Sequence, residues 1–430
     1  MTKETDKFSK ELKEDWVSVF KKNTRPDGHG EPAVEKFLGN MPISKADELI
    51  AANADNYKES YYIKHDPRKS KFKPTSQAKR DALVFIGRMQ PFHNGHKAVI
   101  ERALELAHEV VIVVGSSFTA RSLRNPFTFE ERKAMIEACF PDETDTHSHH
   151  EAAKRIHIVP VSDYPFDDDR WVSAIQTIVD NTVHAAKDVG LIGHSKDSSS
   201  YYLNIFPKWK NHVEVENVSG INATDIRKVI YEQGVSSLTD NSELTQVLPT
   251  EVRDLMLNFC FNKEWRELSS EYEMIRKYKE SWASAPFPPI FVTTDAVVVQ
   301  SGHVLLIERG RAPGKGLLAL PGGFLNPGER IEAGMIRELH EETKIKLQPQ
   351  VLRGSIESRT VVDTPDRDPR GRTITHAFYI KLKDQQDLPH VRGSDDAAKA
   401  TWYTFAEVLK MRDCFYADHF HILAHFLKIG

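Results

Sequence analysis

The sequence predicts an α/β protein whose first domain is a doubly wound parallel sheet and whose second is a separate α/β domain. Three observations carry this. Apolar residues 82–86 and 110–115 read as buried strands, and between them 97–108 is amphipathic, with Val99, Ala103 and Leu106 along one face. Strand, glycine-containing turn, helix and strand open a βαβ unit. Residues 235–284 then carry apolar side chains at helical spacing until Pro286, Pro288 and Pro289 break the run. Beyond them, 291–300 and 304–309 read as two strands joined by a Ser-Gly turn.

The chain has 430 residues, room for about two or three domains. It is 40% hydrophobic and 28% charged, with a formal net charge of −4. That is an ordinary globular composition without the basic footprint of a nucleic-acid or membrane-surface protein. No run reaches the roughly 18 apolar residues of a membrane helix, and the first residues lack a signal peptide's apolar segment. The cysteines, Cys139, Cys260 and Cys414, lie far apart without metal-ligand spacing, so a reducing, cytoplasmic setting is expected.

Residues 1–80 are an extension of unassigned role. Phe8, Leu12, Trp16 and Phe20 recur every four residues and predict a helix over 7–22, with further helices over 32–38 and 44–52. The basic stretch 68–80 reads as a solvated linker.

Residues 81–234 form the first domain. Its turn is Gly87-Arg-Met-Gln-Pro-Phe-His-Asn-Gly-His96. The turn delivers a helix N-terminus, where free N–H groups and the dipole favour an anion. Gly95 lets a phosphate approach, and His93 and His96 can both donate to it. This stretch resembles the HxGH signature of the nucleotidyltransferases, in the longer form found in archaeal-type NMN adenylyltransferases. The resemblance implies that Gly87, Arg88, Gln90 and Gly95 line an ATP/NMN site and that His93 and His96 are catalytic.

Further along, Thr128 and Glu131 are spaced as a capping box, and basic Arg121 and Arg124 precede them. The family places basic residues there near the nucleotide phosphates. The histidines of 146–151 read as an exposed loop. Residues 156–160 and 189–193 read as strands. In the resembling family the tryptophan after the third strand, here Trp171, lies against the nicotinamide ring. Gly220-Ile-Asn-Ala-Thr-Asp-Ile-Arg227 resembles the family's second signature, which implies that Asn222, Thr224 and Arg227 hold the ATP phosphates at a helix start. Thr224 and Arg227, three apart, share a face. No activated nucleophile is present, so the chemistry is alignment and charge neutralisation around phosphates.

Residues 235–288 are a helical connector whose aromatic stripe, Trp265 to Trp282, reads as packing. The second domain, 289–430, contains Gly323-Phe-Leu-Asn-Pro-Gly-Glu329 and, seven residues on, Arg337-Glu-Leu-His-Glu-Glu342-Thr-Lys-Ile345. Glu338, Glu341 and Glu342 line one helical face, and a carboxylate face suits a hard divalent cation. The pattern resembles the Nudix box, with Lys344 where the family has a glycine. That position caps the helix, so the change is expected to alter the turn more than the metal site. The resemblance implies a mixed-sheet α/β/α domain with Mg²⁺ (or Mn²⁺) held by Glu338, Glu341 and Glu342. It also implies a loop built on Gly322 and Gly323 and braced by Glu329 and Arg337. Residues 363–372, with Arg370, resemble the branch that hydrolyses ADP-ribose.

Together the resemblances imply a bifunctional enzyme. One half joins NMN and ATP into NAD and pyrophosphate; the other cleaves ADP-ribose to AMP and ribose 5-phosphate. Its partners are these small molecules, not nucleic acid or membrane, and a homo-oligomer is compatible with the sequence. Two alternatives stand beside this. The first domain could use another acceptor, such as nicotinic acid mononucleotide or phosphopantetheine, or the Nudix domain could be a non-catalytic ligand sensor.

Overall fold

The computed structural model describes residues 79–144, 155–194, 202–209, 212–215, 222–240 and 242–429, and the backbone of three earlier strands. The chain divides into two compact units, Met1–Ala78 and Lys79–Gly430.

In the first unit, β1 (Trp16–Asn23) pairs antiparallel with both β2 (Glu35–Pro42) and β3 (Glu59–His65). The helices that spacing predicts over 7–22 and 32–38 are therefore corrected: residues 16–23 and 35–42 are strands. Trp16-Val-Ser-Val-Phe20 also satisfies a period of two, and its valines are stiff in the extended form. Pairing along both edges of β1 then decides between the periods. The helix expected over 44–52, the basic segment 68–78 and the histidine loop 146–151 lie outside the described residues.

The second unit begins with β4 (Arg80–Gly87), α1 (Asn94–Leu106), β5 (Ala107–Val114), α2 (Phe129–Cys139), β6 (Ile156–Pro160), α3 (Asp168–Thr182), β7 (Val189–Gly193) and β8 (Val213–Glu214). The strands form a parallel sheet in the order β6-β5-β4-β7-β8. Leu83 and Phe85 of β4 pack with Val99 and Ile100 of α1, whereas Ala82, Val84 and Ile86 pack with Ile175 and Val179 of α3. Helices thus cover both faces, which is why β4 is apolar throughout rather than alternating. Helix α1 runs into β5 without a loop: Ala107, inside the helix that periodicity predicts, already pairs with Arg80.

Helices α4 (Ala223–Gln233), α5 (Thr250–Phe259) and α6 (Lys263–Glu280) follow. Leu244, Val252, Met256, Phe259, Trp265 and Leu268 join the core of the first sheet. Tyr231 stacks on Trp265 at 5.2 Å and on Tyr272 at 5.0 Å. The aromatic stripe is packing.

The second sheet contains β9 (Ile290–Gln300), β10 (His303–Arg309), β11 (Leu318–Ala319), β12 (Gly322–Phe324), β13 (Ile356–Val362), β14 (Arg372–Lys381) and β15 (Ala397–Thr404). Its order is β11-β10-β9-β14-β13, with β12 on β9 and β15 on β10. Only β9 and β14 run parallel, so the sheet is mixed. Helix α7 (Ile331–Thr343) covers one face through Met335, Ile336 and Leu339. Helix α8 (Phe405–Lys410) follows β15, and α9 (His419–Leu427) covers the other face through Phe420, Ile422 and Leu423. Among the described residues no helix is long and apolar enough to cross a membrane.

Candidate active sites

The first candidate site forms where β4 ends. His93 caps α1: its Nδ1 accepts from the Gly95 amide at 3.1 Å, so in the neutral ring Nε2 carries the proton and is the donor. His96 stacks on His93 with ring centroids 3.8 Å apart. The free helix amides that the motif suggests are spoken for. Asn94 N donates to Val247 O at 2.9 Å, Gly95 N to the His93 ring, and His96 N to His93 O at 2.9 Å. The dipole remains, but an anion here meets side chains rather than backbone.

Those side chains are cationic. Arg227, just past the first turn of α4, donates to Gln90 O at 2.6 Å and to Thr224 Oγ1 at 3.2 Å. Burial, with neighbouring Arg88, pushes its pKa down to about 10. Burial likewise lowers Arg88, with Arg124 adding repulsion. Neither Arg88 nor Arg227 has an ion-pair partner among the described residues. Arg132, fully buried, donates to the carbonyls of Thr128, Arg88, Gly115 and Ser116. It is a residue the motifs do not flag. It ties the histidine turn to the end of β5 and to α2, and its burial holds its pKa near about 10. Buried cations without counter-charges favour a bound polyanion.

Other members of the motifs turn to bracing. The Gln90 amide is used on both sides by Phe127, donating to its carbonyl at 2.8 Å and accepting from its N–H at 3.0 Å. Arg121 forks onto Glu131 at 2.6 and 2.8 Å and reaches Pro126 O, which secures the Thr128 capping box of α2. Asn222 caps α4, accepting from Thr224 N and Asp225 N at 3.0 Å. Arg124 pairs with Asp366 of the second domain. Gly87 leaves room for Met89, whose sulfur would sit 3.1 Å from an added Cβ. Trp171, in the first turn of α3, lies on the other face of the sheet, against Tyr202 and Phe206.

The second candidate site lies between β12 and α7. Arg337 donates to both oxygens of Glu329 at 2.9 and 3.0 Å, and its Nη1 reaches Glu338 and Glu341, each at 2.8 Å. Glu342, buried, accepts from Gly322 N at 2.8 Å. Its pKa is pushed up to about 8, first by burial and then, against the Gly322 bond, by the charge of Glu338. Burial also raises Glu338. The glycines are steric requirements. A Cβ on Gly322 would meet Thr294 O at 2.0 Å, and one on Gly323 would meet Glu338 Oε1 at 2.6 Å.

The carboxylate triad is only partly assembled. Among the described residues no three His, Cys, Asp or Glu side chains converge as a metal cluster, because Glu341 turns to Arg337 and stays 42% exposed. Glu338 and Glu342 do fit a divalent ion. They are mutually repelling, partly desolvated carboxylates, and the missing Cβ of Gly323 lets the Glu338 carboxylate lie against the β12 backbone. A hard cation would relieve that repulsion with few protein ligands. Lys344 corrects a second expectation. It takes the left-handed conformation itself, φ 50° and ψ 26°, and its N–H donates to His340 O. The turn is kept despite the substitution.

Behind this site is a network the motifs do not reveal. Asp295 of β9 is buried, accepts from Thr375 Oγ1 at 2.6 Å, and lies 3.9 Å from Arg367. Arg367 forks onto Asp418 at 2.7 and 2.9 Å. His419 Nδ1 accepts from Leu320 N, and burial lowers its pKa to about 3. Arg370 pairs with Asp368 and lies 4.7 Å over the Phe324 ring of β12.

A cytidylyltransferase-like family model matches residues 84–229, and a NUDIX domain model matches residues 290–426. A nicotinamide/nicotinic acid mononucleotide adenylyltransferase of Acinetobacter baylyi is 43% identical over 155 residues, 36% of this chain and 77% of that protein. An ADP-ribose pyrophosphatase of Methanocaldococcus jannaschii is 31% identical over 137 residues, 32% of this chain and 73% of that protein. The crystal structure of a bifunctional NMN adenylyltransferase/ADP ribose pyrophosphatase from Francisella tularensis, complexed with AMP and a manganese ion, superposes with a TM-score of 0.72. It is 34% identical and covers 81% of this chain and 99% of that one.

Proposed function

This chain belongs to the bifunctional NMN adenylyltransferase/ADP-ribose pyrophosphatase family, and we propose on that footing that it makes NAD at one site and hydrolyses ADP-ribose at the other. One observation carries both halves: buried Arg88 and Arg227 have no carboxylate partner, and the carboxyl groups of Glu338 and Glu342 are crowded together with a single cation, Arg337, on the first of them.

At the transferase site an NMN phosphate oxygen bonds to the α-phosphorus of ATP, and the bond to the pyrophosphate oxygen breaks. His93 Nε2, His96, Arg88 and Arg227 neutralise charge on the phosphates. Arg132 and Gln90 hold the turn that presents them, so alignment precedes the reaction. Trp171 receives the nicotinamide ring, and Arg124 stands at the phosphate rim, where Asp366 now occupies it.

At the hydrolase site a water oxygen bonds to one phosphorus of ADP-ribose, and the bridging P–O bond breaks to give AMP and ribose 5-phosphate. A divalent cation, Mg²⁺ in our reading, supplies Lewis-acid polarisation of the diphosphate and a more acidic water. Glu338 and Glu342 would hold it, and Glu341, now bonded to Arg337, would be the third candidate ligand. Arg337 and Glu329 fix the loop, and Arg370 beside Phe324 faces the substrate. The Cys139, Cys260 and Cys414 thiols are unpaired, which suits a cytoplasmic enzyme.

Incubation of the full chain with Mg²⁺ tests both halves by chromatography of the products. NMN plus ATP should give NAD, and ADP-ribose should give AMP. The Acinetobacter relative carries both acceptors in its name, so nicotinic acid mononucleotide is run beside NMN. No dinucleotide from either acceptor would refute the transferase half. No AMP from ADP-ribose would refute the hydrolase half and favour a sensing role for that domain.

A further inference from the structure

A carboxylate of the hydrolase domain reaches the cations of the transferase domain. Asp366, from the stretch between β13 and β14, pairs with Arg124 ahead of the Thr128 capping box. Arg124 lies close to Arg88: burial lowers the Arg88 pKa, Arg124 lowers it further, and Asp163 and Asp366 act in the opposite sense. Arg227 belongs to the same cluster, since Arg88 and Arg124 both add to the lowering that burial begins. Asp366 thus offsets part of the repulsion among these arginines in the empty protein.

Two half-exposed side chains that merely drift together contribute little. Asp366 is instead presented by a built turn. Arg367 N donates to Thr364 O at 3.3 Å, which closes Thr364-Pro-Asp-Arg367, and proline suits the second position of such a turn. Arg367 anchors it: its side chain is 6% exposed and forks onto Asp418 at 2.7 and 2.9 Å. Beyond it, Asp368 accepts from the Arg370 side chain at 2.7 Å and from the Arg370 amide at 2.9 Å. These neighbouring charges are used inside the hydrolase domain. Asp366, at the tip of the turn with its side chain 58% exposed, is used on the transferase domain.

We propose that Asp366 is a built-in competitor of the nucleotide phosphates, a carboxylate from the hydrolase domain that holds Arg124 in the empty transferase site and is displaced when a polyphosphate binds. A phosphate oxygen and the Asp366 carboxylate seek the same guanidinium, and two anions at one cation repel each other. The transferase site therefore binds ATP and pyrophosphate less tightly than its arginines by themselves would, which eases release of the pyrophosphate product. The inference rests on the transferase reading for the choice of these polyanions.

Titration calorimetry of the full chain with pyrophosphate in metal-free buffer, together with the KM values for ATP and NMN, tests it. Asp366→Asn should tighten pyrophosphate and lower the ATP KM by about three- to fivefold, the scale of an exposed ion pair, with the NMN KM unmoved. Asp366→Glu, which keeps the charge, should stay within about twofold of the unmodified chain. In an Arg124→Ala background the asparagine substitution should lose most of its effect, because the contested cation is gone. Unchanged, weaker or absent pyrophosphate binding in Asp366→Asn overturns the proposal. So does an equal gain in the Arg124→Ala background, which would make Asp366 a distant charge rather than a competitor for that side chain. The exposed turn tip leaves the fold undisturbed by either substitution. Failure of the unmodified chain to make NAD would remove the transferase reading, and the pyrophosphate titrations would still decide the competition.

Discussion

At the end of β4, Arg88 and Arg227 are buried without carboxylate partners, whereas on α7 Glu338 and Glu342 are buried close together and only the first touches a cation. Both arrangements are costly in the empty protein, because each leaves like charges in a poorly hydrated place. Each is resolved by a ligand of opposite sign, phosphates in one case and a metal ion in the other. The contrast also lies in what does the holding. Arg227 is fixed by a backbone carbonyl and a hydroxyl, which leave its charge intact. The carboxylates are fixed partly by Arg337, which competes with a metal for Glu338 and Glu341.

The contrast is broken most directly by removing one charge from each side. Arg227→Ala should lower NAD synthesis by about 10²–10³-fold and leave ADP-ribose hydrolysis within twofold. Glu342→Gln should do the converse, with a loss on the order of 10²-fold. Product assays on both variants check the two claims together, and a variant that cripples both reactions would contradict the separation. Trp171→Ala should raise the NMN KM by about tenfold through the lost ring contact while the ATP KM stays within twofold. Equal rises would place Trp171 in the core only.

Sign can be tested by stability alone. Mg²⁺ at a hundredfold excess over its Kd should stabilise the chain by about 2.7 kcal/mol, seen as a rise in Tm. Pyrophosphate should act likewise through the arginines. Glu338→Gln/Glu342→Gln should abolish the first shift and keep the second. The smallest expected effect is at Lys344. Replacing it by glycine relieves a left-handed non-glycine residue and should stabilise by about 1 kcal/mol, measured by thermal or denaturant unfolding, with hydrolysis unchanged.

What was legible in the sequence follows from how local each feature is. The histidine turn, the Thr128 capping box and the carboxylate face of α7 are encoded at spacings of three or four residues; the structure forms the first two and brings Glu338 and Glu342 of the third together while Glu341 turns to Arg337. Motif membership did not say which side chains meet a ligand. Gln90 and Arg121 sit among the motif residues yet spend their polar groups on Phe127 and Glu131. The Asp295, Arg367 and Asp418 network was not legible, because its members come from distant strands and loops brought together by the sheet. Short β12 was missed for a related reason: three residues rich in glycine carry no period, and their pairing with β9 makes the strand. At β1 two periods coexist, and long-range pairing chose the shorter.

The connector has a consequence for anyone who would divide this protein in two. The proline cluster after α6 looks like the natural place to cut, but the helix before it serves both sides. Glu271 accepts from Gly314 N at 2.7 Å, and Tyr278 and Trp282 pack on Phe291 at 5.9 and 5.7 Å. The same connector bonds Asn94 through Gln246 and Val247. A hydrolase fragment beginning at the prolines would expose Phe291 and lose the acceptor for Gly314, and a transferase fragment ending ahead of the connector would lose the anchor of its histidine helix. A workable dissection must end the transferase fragment after α6 and begin the hydrolase fragment ahead of it, so that each carries its own copy of that helix.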